Sequence, residues 1–523
     1  MKKPSQRTDQ VVVIGSGIGG LASALRLVHR GFDVTVLERH ATPGGKMRQV
    51  NGVDAGPTVL TMLDVFEALF DDAGANLHDH VALIPQDILA RHWWPDSGPL
   101  DLFPSTEQSA EAINDFAGPR AANEFRAFAA RAERLFEGFR DPMMISAEPK
   151  FWDMTKHVLR NRYLIGDMAP GRTLKALLKS SFSDPRLRQL FGRYATYVGG
   201  SPDKSPALLS LIWDAEAKGV WCVKGGMHAL ARAISDLIIA KGGSIRTNAH
   251  VQSIKTSNGA ISSVQLSDGE VINADHVVFN GDPRALSTGL LGQDVETIAT
   301  VSRKRARSHS ANVWSFRATP SDIPLVHHNV FFSDPRENEF AEIAHGRIPS
   351  KPTLYVCAED RGQGSVPPPE ERFEIIMNTP PLTDRAAQPE DFELCHTRTF
   401  PALRDLGLTF SPDPGPDSLT MAQNFETLFP GSAGSLYGQT PHGMTAALDR
   451  PTARTKIKGL YLAGGGTHPG AGVPMAALSG RHAAEAILKD RTSTSKFRQT
   501  ATHGGMSMAS APTANALSRS SGS

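Results

Sequence analysis

Two short apolar runs lie near the start of the chain, and a glycine-rich turn follows the first of them. Val11–Ile14 predicts a buried strand, and the spacing of the apolar residues after it predicts a helix from Ile18 to about His29. A second apolar run, Val34–Leu37, predicts the next strand. Strand, helix and strand in this order are typical of a parallel sheet with helices packed on its faces.

The turn and the end of the second strand carry a dinucleotide-binding fingerprint, formed by Gly15, Gly17, Gly19, Gly20 and Glu38. Gly15 permits the tight turn, Gly17 lets the backbone approach a pyrophosphate, and Gly20 lets the helix pack closely on the sheet. The helix N-terminus favours the phosphates, and Glu38 is expected to accept hydrogen bonds from a ribose. The alternative is an ordinary strand-to-helix turn without a ligand.

A glycine pair with basic neighbours comes soon after Glu38. This segment contains Arg39, Gly44, Gly45, Lys46 and Arg48. Backbone amides and positive charge at such a turn can meet the phosphates from the side opposite the first helix. We therefore expect this segment to bind the same ligand.

A second glycine-rich loop lies near the C-terminus, between a short apolar strand and a segment that favours helix. Proline is well tolerated at the first turn of a helix, so the helix is expected to begin near Pro474. Free N–H groups there would stabilise the negative charge of a reduced flavin, which favours FAD over NAD. The alternative is a helix that only packs under the sheet. The candidate cofactor-binding residues of this loop are Gly464, Gly465, Gly472, Val473, Pro474 and Met475.

The rest of the chain predicts interleaved domains. Asn258-Gly259 lies between two alternating runs and predicts a hairpin, and Val277–Phe279 predicts another buried strand. We expect the segments to be 1–75, 215–285 and 441–490 for the dinucleotide-binding domain, 76–214 for a mostly helical part of a substrate domain, 286–440 for its sheet part, and 491–523 for a disordered tail.

Composition limits the number of domains and the class of the protein, but it does not indicate a reaction. A chain of 523 residues is expected to form two or more domains, and a net charge of +1 gives no reason to expect nucleic acid. The three cysteines, Cys222, Cys357 and Cys395, are too widely spaced for a disulfide framework or a zinc site, so we predict reduced thiols and no metal. No apolar run approaches the ~18 residues of a spanning helix. A cytoplasmic protein is the expectation.

Several motifs together resemble one family. These are the fingerprint, the segment from Asp54 to Thr58, Gly225-Gly226-Met227, and above all the string from Thr467 to Pro474. The chain is similar to bacterial carotenoid desaturases of the phytoene-desaturase type, and most similar to the 1-hydroxycarotenoid 3,4-desaturases (methoxyneurosporene dehydrogenases) of purple phototrophic bacteria. The resemblance covers roughly residues 10 to 490.

The resemblance implies a fold, a cofactor and a reaction. The fold is α/β: a Rossmann-like FAD-binding domain with an interleaved α+β substrate domain, as in flavin amine oxidases. Pro57 and Thr58 are implied to contact FAD, and Val251 to contact its adenine through the backbone. The implied reaction is hydride transfer to flavin that introduces a C3–C4 double bond into 1-hydroxylated acyclic carotenoids of the spheroidene or spirilloxanthin pathways. Oxygen or a quinone would be the electron acceptor, and no residue stands out as the catalytic acid or base.

Three alternatives stay open at this point: a phytoene or neurosporene desaturase, a flavin amine oxidase, and a non-catalytic flavin-fold module. The same holds for an aromatic and methionine-rich stretch, which could be a helical core or a hydrophobic doorway on a bilayer. Because carotenoids partition into membranes, the resemblance favours the doorway, and with it peripheral association with the inner (intracytoplasmic) membrane. The stretch comprises Phe136, Phe139, Met143, Met144, Phe151, Trp152 and Met154.

Overall fold

A five-stranded parallel sheet organises the first domain. The computed structural model describes residues 8–382 and 391–501, with the side chains of 493–501 excepted. The first predicted strand lies in the middle of the sheet, and the second lies beside it in the expected parallel register, Val12 opposite Thr35. In spatial order the strands are Leu460–Leu462, His276–Phe279, Gln10–Ile14, Asp33–Leu37 and Ser244–Arg246.

Helices cover this sheet at very short distances. The predicted N-terminal helix spans Ile18–His29 and packs against the C-terminal helix, Val473–Ala501. A Cβ atom at Gly20 would lie 2.2 Å from the carbonyl oxygen of Gly15, and one at Gly480 would lie 2.2 Å from that of Gly19. No side chain fits at either position, so these glycines set how closely the two helices approach the fingerprint turn.

A second, eight-stranded sheet forms the body of the other domain. Its first two strands come from residues 76–214, the part predicted to be mostly helical, because Trp93 stacks on Phe331 and draws that hairpin into the later sheet. Its strands are Ala90–Trp94, Ser97–Leu102, Ser310–Pro320, His328–Phe331, Leu354–Ala358, Glu371–Thr379, Phe410–Ser411 and Leu419–Thr420. The predicted α/β fold with an interleaved α+β domain is confirmed.

Smaller sheets complete the strands. The hairpin turned at Asn258-Gly259 is confirmed, since Val251–Ser257 pairs antiparallel with Ala260–Leu266. A third strand, Val271–Asn273, extends it. Two-stranded pairs join Gln49–Val50 to Val53–Asp54 and Leu83–Pro85 to Trp221–Val223.

The helices in the helical part of the substrate domain bury aromatic side chains, among them Phe125, Phe191 and Trp213. Besides the N-terminal and C-terminal helices given above, the α-helices are Leu63–Asp71, Leu77–His80, Thr106–Ala117, Pro119–Phe139, Phe151–Arg160, Tyr163–Met168, Leu174–Ser181, Pro185–Gly192, Ile212–Ala217, Met227–Ala240, Pro283–Ser287, Thr300–Lys304, Glu339–Ala344, Phe392–Asp405 and Ala422–Leu428. Arg193–Val198, Ala207–Leu211, Gln293–Val295 and Pro416–Ser418 are 3₁₀ turns, and Arg140–Ile145 is a π-helical turn.

The C-terminal helix, Val473–Ala501, runs past residue 491, where the sequence predicts that a disordered tail begins. Neither proline nor glycine occurs between Gly480 and Ala501, so the sequence of this part is compatible with a continuous helix. Residues 502–523 lie outside the described part of the chain. The predicted domain boundaries, including that of the tail, stay predictions.

Candidate active site

Two cavities adjoin where the domains meet. The first, which we call the glycine-lined cavity, encloses about 360 Å³ beside the fingerprint turn. The second, the apolar cavity, encloses about 740 Å³ among the helices of the substrate domain. They share one wall, formed by Gly56, Pro57, Ile376, Tyr437, Ala471, Gly472 and Val473.

The structure brings most of the predicted cofactor residues to the glycine-lined cavity. Gly20 lies behind that cavity, under the turn. Thr58, Pro474 and Met475 line the apolar cavity instead, on the far side of the shared wall. The residues that line the glycine-lined cavity are Gly15, Gly17, Gly19, Glu38, Arg39, Gly44, Gly45, Lys46, Arg48, Pro57, Val251, Gly464, Gly465, Gly472 and Val473.

Hydrogen bonds fix the Glu38 carboxylate at the edge of the cavity. It accepts from the Ser16 amide at 2.9 Å, from the Ser16 hydroxyl at 2.6 Å and from the His40 amide at 2.9 Å. The side chain is 4% exposed. Three donors therefore hold the acid in one orientation and leave lone-pair directions for a further donor.

The helix that follows the turn offers free donors. Gly17 precedes it and supplies no side-chain cap. The first N–H groups of a helix have no intrahelical acceptor, so those after Gly17 can bind an anion. Gly44 lies against the same turn, because its amide donates to the Ser16 carbonyl at 3.0 Å. A Cβ atom at Gly45 would lie 2.9 Å from the Gly17 Cα atom.

Two buried cations complete this side. The Lys46 ammonium donates to the Leu436 carbonyl at 2.5 Å, and burial lowers the pKa of Lys46 to about 8. Arg48 donates to the Thr420 hydroxyl at 2.8 Å. Burial lowers the pKa of Arg48 as well. Both charges gain from an anion in the cavity.

The C-terminal glycine loop is held from two directions. The Gly464 amide donates to the Ser479 hydroxyl at 2.7 Å, and the Arg450 guanidinium donates to the Gly465 carbonyl at 2.8 Å. The helix begins at Val473, where its first intrahelical bond runs from the Ala476 amide to the Gly472 carbonyl. The N–H group of Val473, the first residue of this helix, thus lies at the shared wall.

His468 in this loop has a structural role. Its Nε2 donates to the Ser146 carbonyl at 2.8 Å, which ties the loop to the substrate domain. Burial lowers the pKa of His468 to about 4. A neutral ring that is already hydrogen-bonded is poorly suited to take up a proton, so no acid or base role follows.

Comparison with known proteins identifies the family. The model for flavin containing amine oxidoreductases matches residues 18–315 and 384–488. The chain belongs to this family. A hydroxyneurosporene desaturase from Cereibacter sphaeroides is 52% identical to it, over 94% of this chain and 100% of that one. The hydroxyneurosporene desaturase of Rhodobacter capsulatus is 47% identical, over 93% and 99%.

Solved structures agree on the fold. Cyclohexylamine oxidase from Brevibacterium oxydans superposes with a TM-score of 0.58 at 15% identity, and the match covers 93% of this chain and all of that one. At this identity the likeness concerns the fold alone. The resemblance to carotenoid desaturases is confirmed by the relatives, and the chain is an FAD-dependent oxidoreductase of this flavin family.

The glycine-lined cavity fits FAD. Its two glycine-rich turns lie in close contact, since a Cβ atom at Gly19 would lie 2.6 Å from the Gly464 amide nitrogen. Asn280 lines it at the end of a strand, and its buried Oδ1, which lies next to Gly19 and Gly464, has no hydrogen-bond partner among the described residues. A polar ligand satisfies such an atom. The free helix amides and the two cations suit the pyrophosphate.

Sequence reasoning missed Asn280, which lines this cavity, and Arg450, which lines the apolar cavity and holds the C-terminal glycine loop. The Asn280 amide donates to the carbonyls of Gly15 and Gly17, at 3.1 and 3.2 Å, and so fixes the fingerprint turn. Arg450 lies under the C-terminal loop. The position of Asn280, directly after Val277–Phe279, was the available signal, because ligands bind at the carboxyl ends of parallel strands.

The apolar cavity is lined by most of the aromatic and methionine-rich stretch. The helix Phe151–Arg160 forms part of its wall, and on this helix Phe151 is 55% and Trp152 72% exposed. The members of the stretch that line it are Phe136, Phe139, Met143, Met144, Phe151 and Met154. Among the described residues, no helix combines the length and apolar character needed to cross a bilayer.

One buried group of metal-binding residue types occurs in the described chain. His327, His328 and Cys357 have ligand atoms within 4.8 Å of one another. His327 Nδ1 donates to the Arg361 carbonyl at 2.8 Å, and His328 Nδ1 lies 2.6 Å from the Tyr355 hydroxyl. None of these three residues lines either cavity, whereas Tyr355 lines the apolar cavity. The absence of a metal stays a prediction.

Proposed function

We propose that this chain introduces a C3–C4 double bond into 1-hydroxylated acyclic carotenoids. The observation that carries the proposal is the shared wall, where a large apolar cavity meets the cavity that fits FAD. A long hydrocarbon needs such a cavity, because burial of its apolar surface drives binding. The relatives named hydroxyneurosporene desaturases support the same substrate class.

The chemistry is divided between cofactor and protein. FAD, when bound, supplies the acceptor for the two electrons and the hydrogen removed from carbon. The chain's own residues position the hydrocarbon and exclude water. The shared wall, as described, contains neither a carboxylate nor an imidazole. We therefore assign no residue as a catalytic acid or base.

The candidate site residues keep distinct roles in the proposal. Gly15, Gly17 and the first helical amides bind the pyrophosphate, and Glu38 binds a ribose. Val251 lines the glycine-lined cavity, and this position supports a contact between its backbone and adenine. Thr58, Pro474 and Met475, on the apolar side, would contact the flavin ring or the substrate beside it. A spectroscopic FAD titration of single variants tests each role.

Membrane association is part of the proposal. We place the mouth of the apolar cavity at the helix Phe151–Arg160. Four basic residues are exposed around its aromatic side chains: Lys150, Lys156, Arg160 and Arg162. Exposed aromatic groups with basic neighbours favour a bilayer surface that carries anionic headgroups. A water-insoluble substrate can then pass from the membrane into the cavity. Oxygen or a membrane quinone accepts the electrons afterwards.

The test is a product analysis. Purified, FAD-loaded enzyme is incubated in liposomes that contain a 1-hydroxylated carotenoid, neurosporene or phytoene, with oxygen or with a quinone under anaerobic conditions. We expect one additional conjugated double bond in the hydroxylated carotenoid. Conversion of phytoene or neurosporene alone would favour the other desaturase functions. Oxidation of amines without conversion of any carotenoid would contradict the proposal.

A further inference from the structure

The apolar cavity contains a polar corner that a hydrocarbon does not need. Arg193, Tyr197 and Glu216 line it together. Glu339, Asn378, Arg450 and several threonines also line the cavity, but most of its wall consists of aromatic, methionine and aliphatic side chains. Burying polar groups at an apolar site is unfavourable unless they find hydrogen-bond partners. Any polar group of the corner that lacks a partner within the protein would therefore favour a small polar group on the ligand.

Hydrogen bonds hold the corner in a fixed arrangement. The Tyr197 hydroxyl donates to the Glu216 carboxylate at 2.5 Å, and the Tyr194 hydroxyl donates to its other oxygen at 2.8 Å. The Arg193 guanidinium donates to the Tyr197 hydroxyl at 3.2 Å. Among the described residues, the Arg193 side chain donates a hydrogen bond to that hydroxyl alone. A guanidinium has five N–H donors in all. Donors thus remain for a ligand, beside an acceptor that can take a further hydrogen bond.

The corner lies close to the shared wall. The Arg193 guanidinium lies 5.6 Å from the centroid of the Tyr355 ring. Burial raises the pKa of Tyr355, and its hydrogen bond with Thr58 partly opposes that shift. Thr58 follows Pro57, which belongs to the shared wall. Arg193, Tyr355, Thr58 and Pro57 therefore form a short path from the corner to the wall.

This position matches the chemistry of a 1-hydroxylated carotenoid. A single carbon separates the hydroxyl-bearing C1 from the C3–C4 bond that is oxidised. A group that holds the hydroxyl must therefore lie close to the place where the bond meets FAD. We propose that Arg193, Tyr197 and Glu216 bind the terminal hydroxyl of the substrate and so select hydroxylated carotenoids. This inference rests on the proposed function.

In this arrangement, an Arg193 N–H donates to the hydroxyl oxygen, and the hydroxyl donates to Glu216. A carotenoid that lacks the hydroxyl leaves these groups buried and unpaired. Sites built to hydrogen-bond a hydroxyl discriminate strongly against analogues without it. The corner thus accounts for selection at one end of a molecule whose remaining length is apolar.

The experiment compares two substrates across matched variants. For wild type, Arg193→Gln, Glu216→Gln and Tyr197→Phe, kcat/KM is measured with a 1-hydroxylated carotenoid and with the same carotenoid lacking the hydroxyl. We expect the ratio of the two values to fall about 10- to 100-fold in the variants of Arg193 and Glu216, the range for a lost charged hydrogen bond. Tyr197→Phe keeps the ring, and we expect a smaller fall.

Binding without turnover gives a second readout. Quenching of tryptophan fluorescence by each carotenoid should show the same loss of preference. Arg188→Gln is the control, because Arg188 donates to the Phe182 and Ser183 carbonyls and lines neither cavity. FAD absorbance of each variant reports folding of the cofactor domain, and Tyr197→Phe serves where another variant does not fold.

The outcomes separate the two proposals. If wild type converts no hydroxylated carotenoid, the proposed function fails. If wild type prefers the hydroxylated carotenoid and the folded variants keep the full preference, the proposed function stands and this inference is wrong. A preference lost only in the corner variants, with Arg188→Gln unchanged, supports it.

Discussion

The two adjoining cavities recognise their ligands in different ways. The glycine-lined cavity presents mainly backbone: turns at Gly17 and Gly464, free helix amides, and a few fixed side chains such as Glu38. The apolar cavity presents mostly apolar side chains from helices and strands far apart in the chain, and its polar side chains include those of the corner at Arg193. Backbone recognition tolerates little change at single positions, whereas an apolar wall tolerates conservative substitution.

Gly17→Val should give the largest effect, and it tests whether the backbone of the glycine-lined cavity recognises FAD. A Cβ atom at Gly17 lies 3.0 Å from the Asn280 Nδ2 atom and otherwise points into the glycine-lined cavity. We expect the purified variant to retain no FAD, as measured by absorbance. Gly98→Val is the matched control, because Gly98 lies in a strand with no atom within 4 Å of its Cβ position. Normal flavin content in Gly17→Val would contradict the site.

Glu38→Ala tests a side chain within the backbone-built cavity. The carboxylate accepts three hydrogen bonds and is expected to accept one from a ribose. We expect FAD binding to weaken by about 1–3 kcal/mol. Calorimetric titration gives the dissociation constant, and Glu38→Gln, which keeps the shape, should fall between wild type and Glu38→Ala. A dissociation constant equal to that of wild type would remove the ribose role.

Trp152→Glu tests the mouth of the apolar cavity. Removing this exposed aromatic group should weaken binding to anionic liposomes by about 2 kcal/mol, as expected for one large apolar side chain. Sedimentation with liposomes measures this. Val366→Glu changes an apolar residue that is 92% exposed at another place, and should leave liposome binding as it is. Equal losses in both variants would mean that the patch at Trp152 has no special role.

From the pKa of Lys46 we predict that FAD binding in the glycine-lined cavity depends on pH. Burial lowers the pKa of Lys46 to about 8 in the free protein, and a bound pyrophosphate would raise it. Binding then favours the protonated form. FAD affinity should be constant below pH 8 and fall above it, by at most about tenfold per pH unit. Lys46→Arg should remove this dependence, and an unchanged pH profile in that variant would exclude Lys46 as its source.

The sequence was informative where recognition depends on local backbone. The fingerprint helix, the hairpin at Asn258-Gly259 and the C-terminal loop each have a continuous pattern of glycine, proline and apolar residues. Arg193 and Glu216 carry no such pattern, since their meeting depends on how a 3₁₀ turn packs against a separate helix. Asn280 likewise follows an ordinary strand. Single polar residues brought together by tertiary packing are invisible to periodicity.

The central claim is that FAD and the carotenoid meet at the shared wall. Rapid mixing of FAD-loaded enzyme with a 1-hydroxylated carotenoid in liposomes, without oxygen or quinone, tests it most directly. We predict that the flavin absorbance bleaches at the same rate at which the carotenoid spectrum shifts to longer wavelength, one flavin per new double bond. A longer-wavelength product formed while the flavin absorbance stays constant would contradict the account.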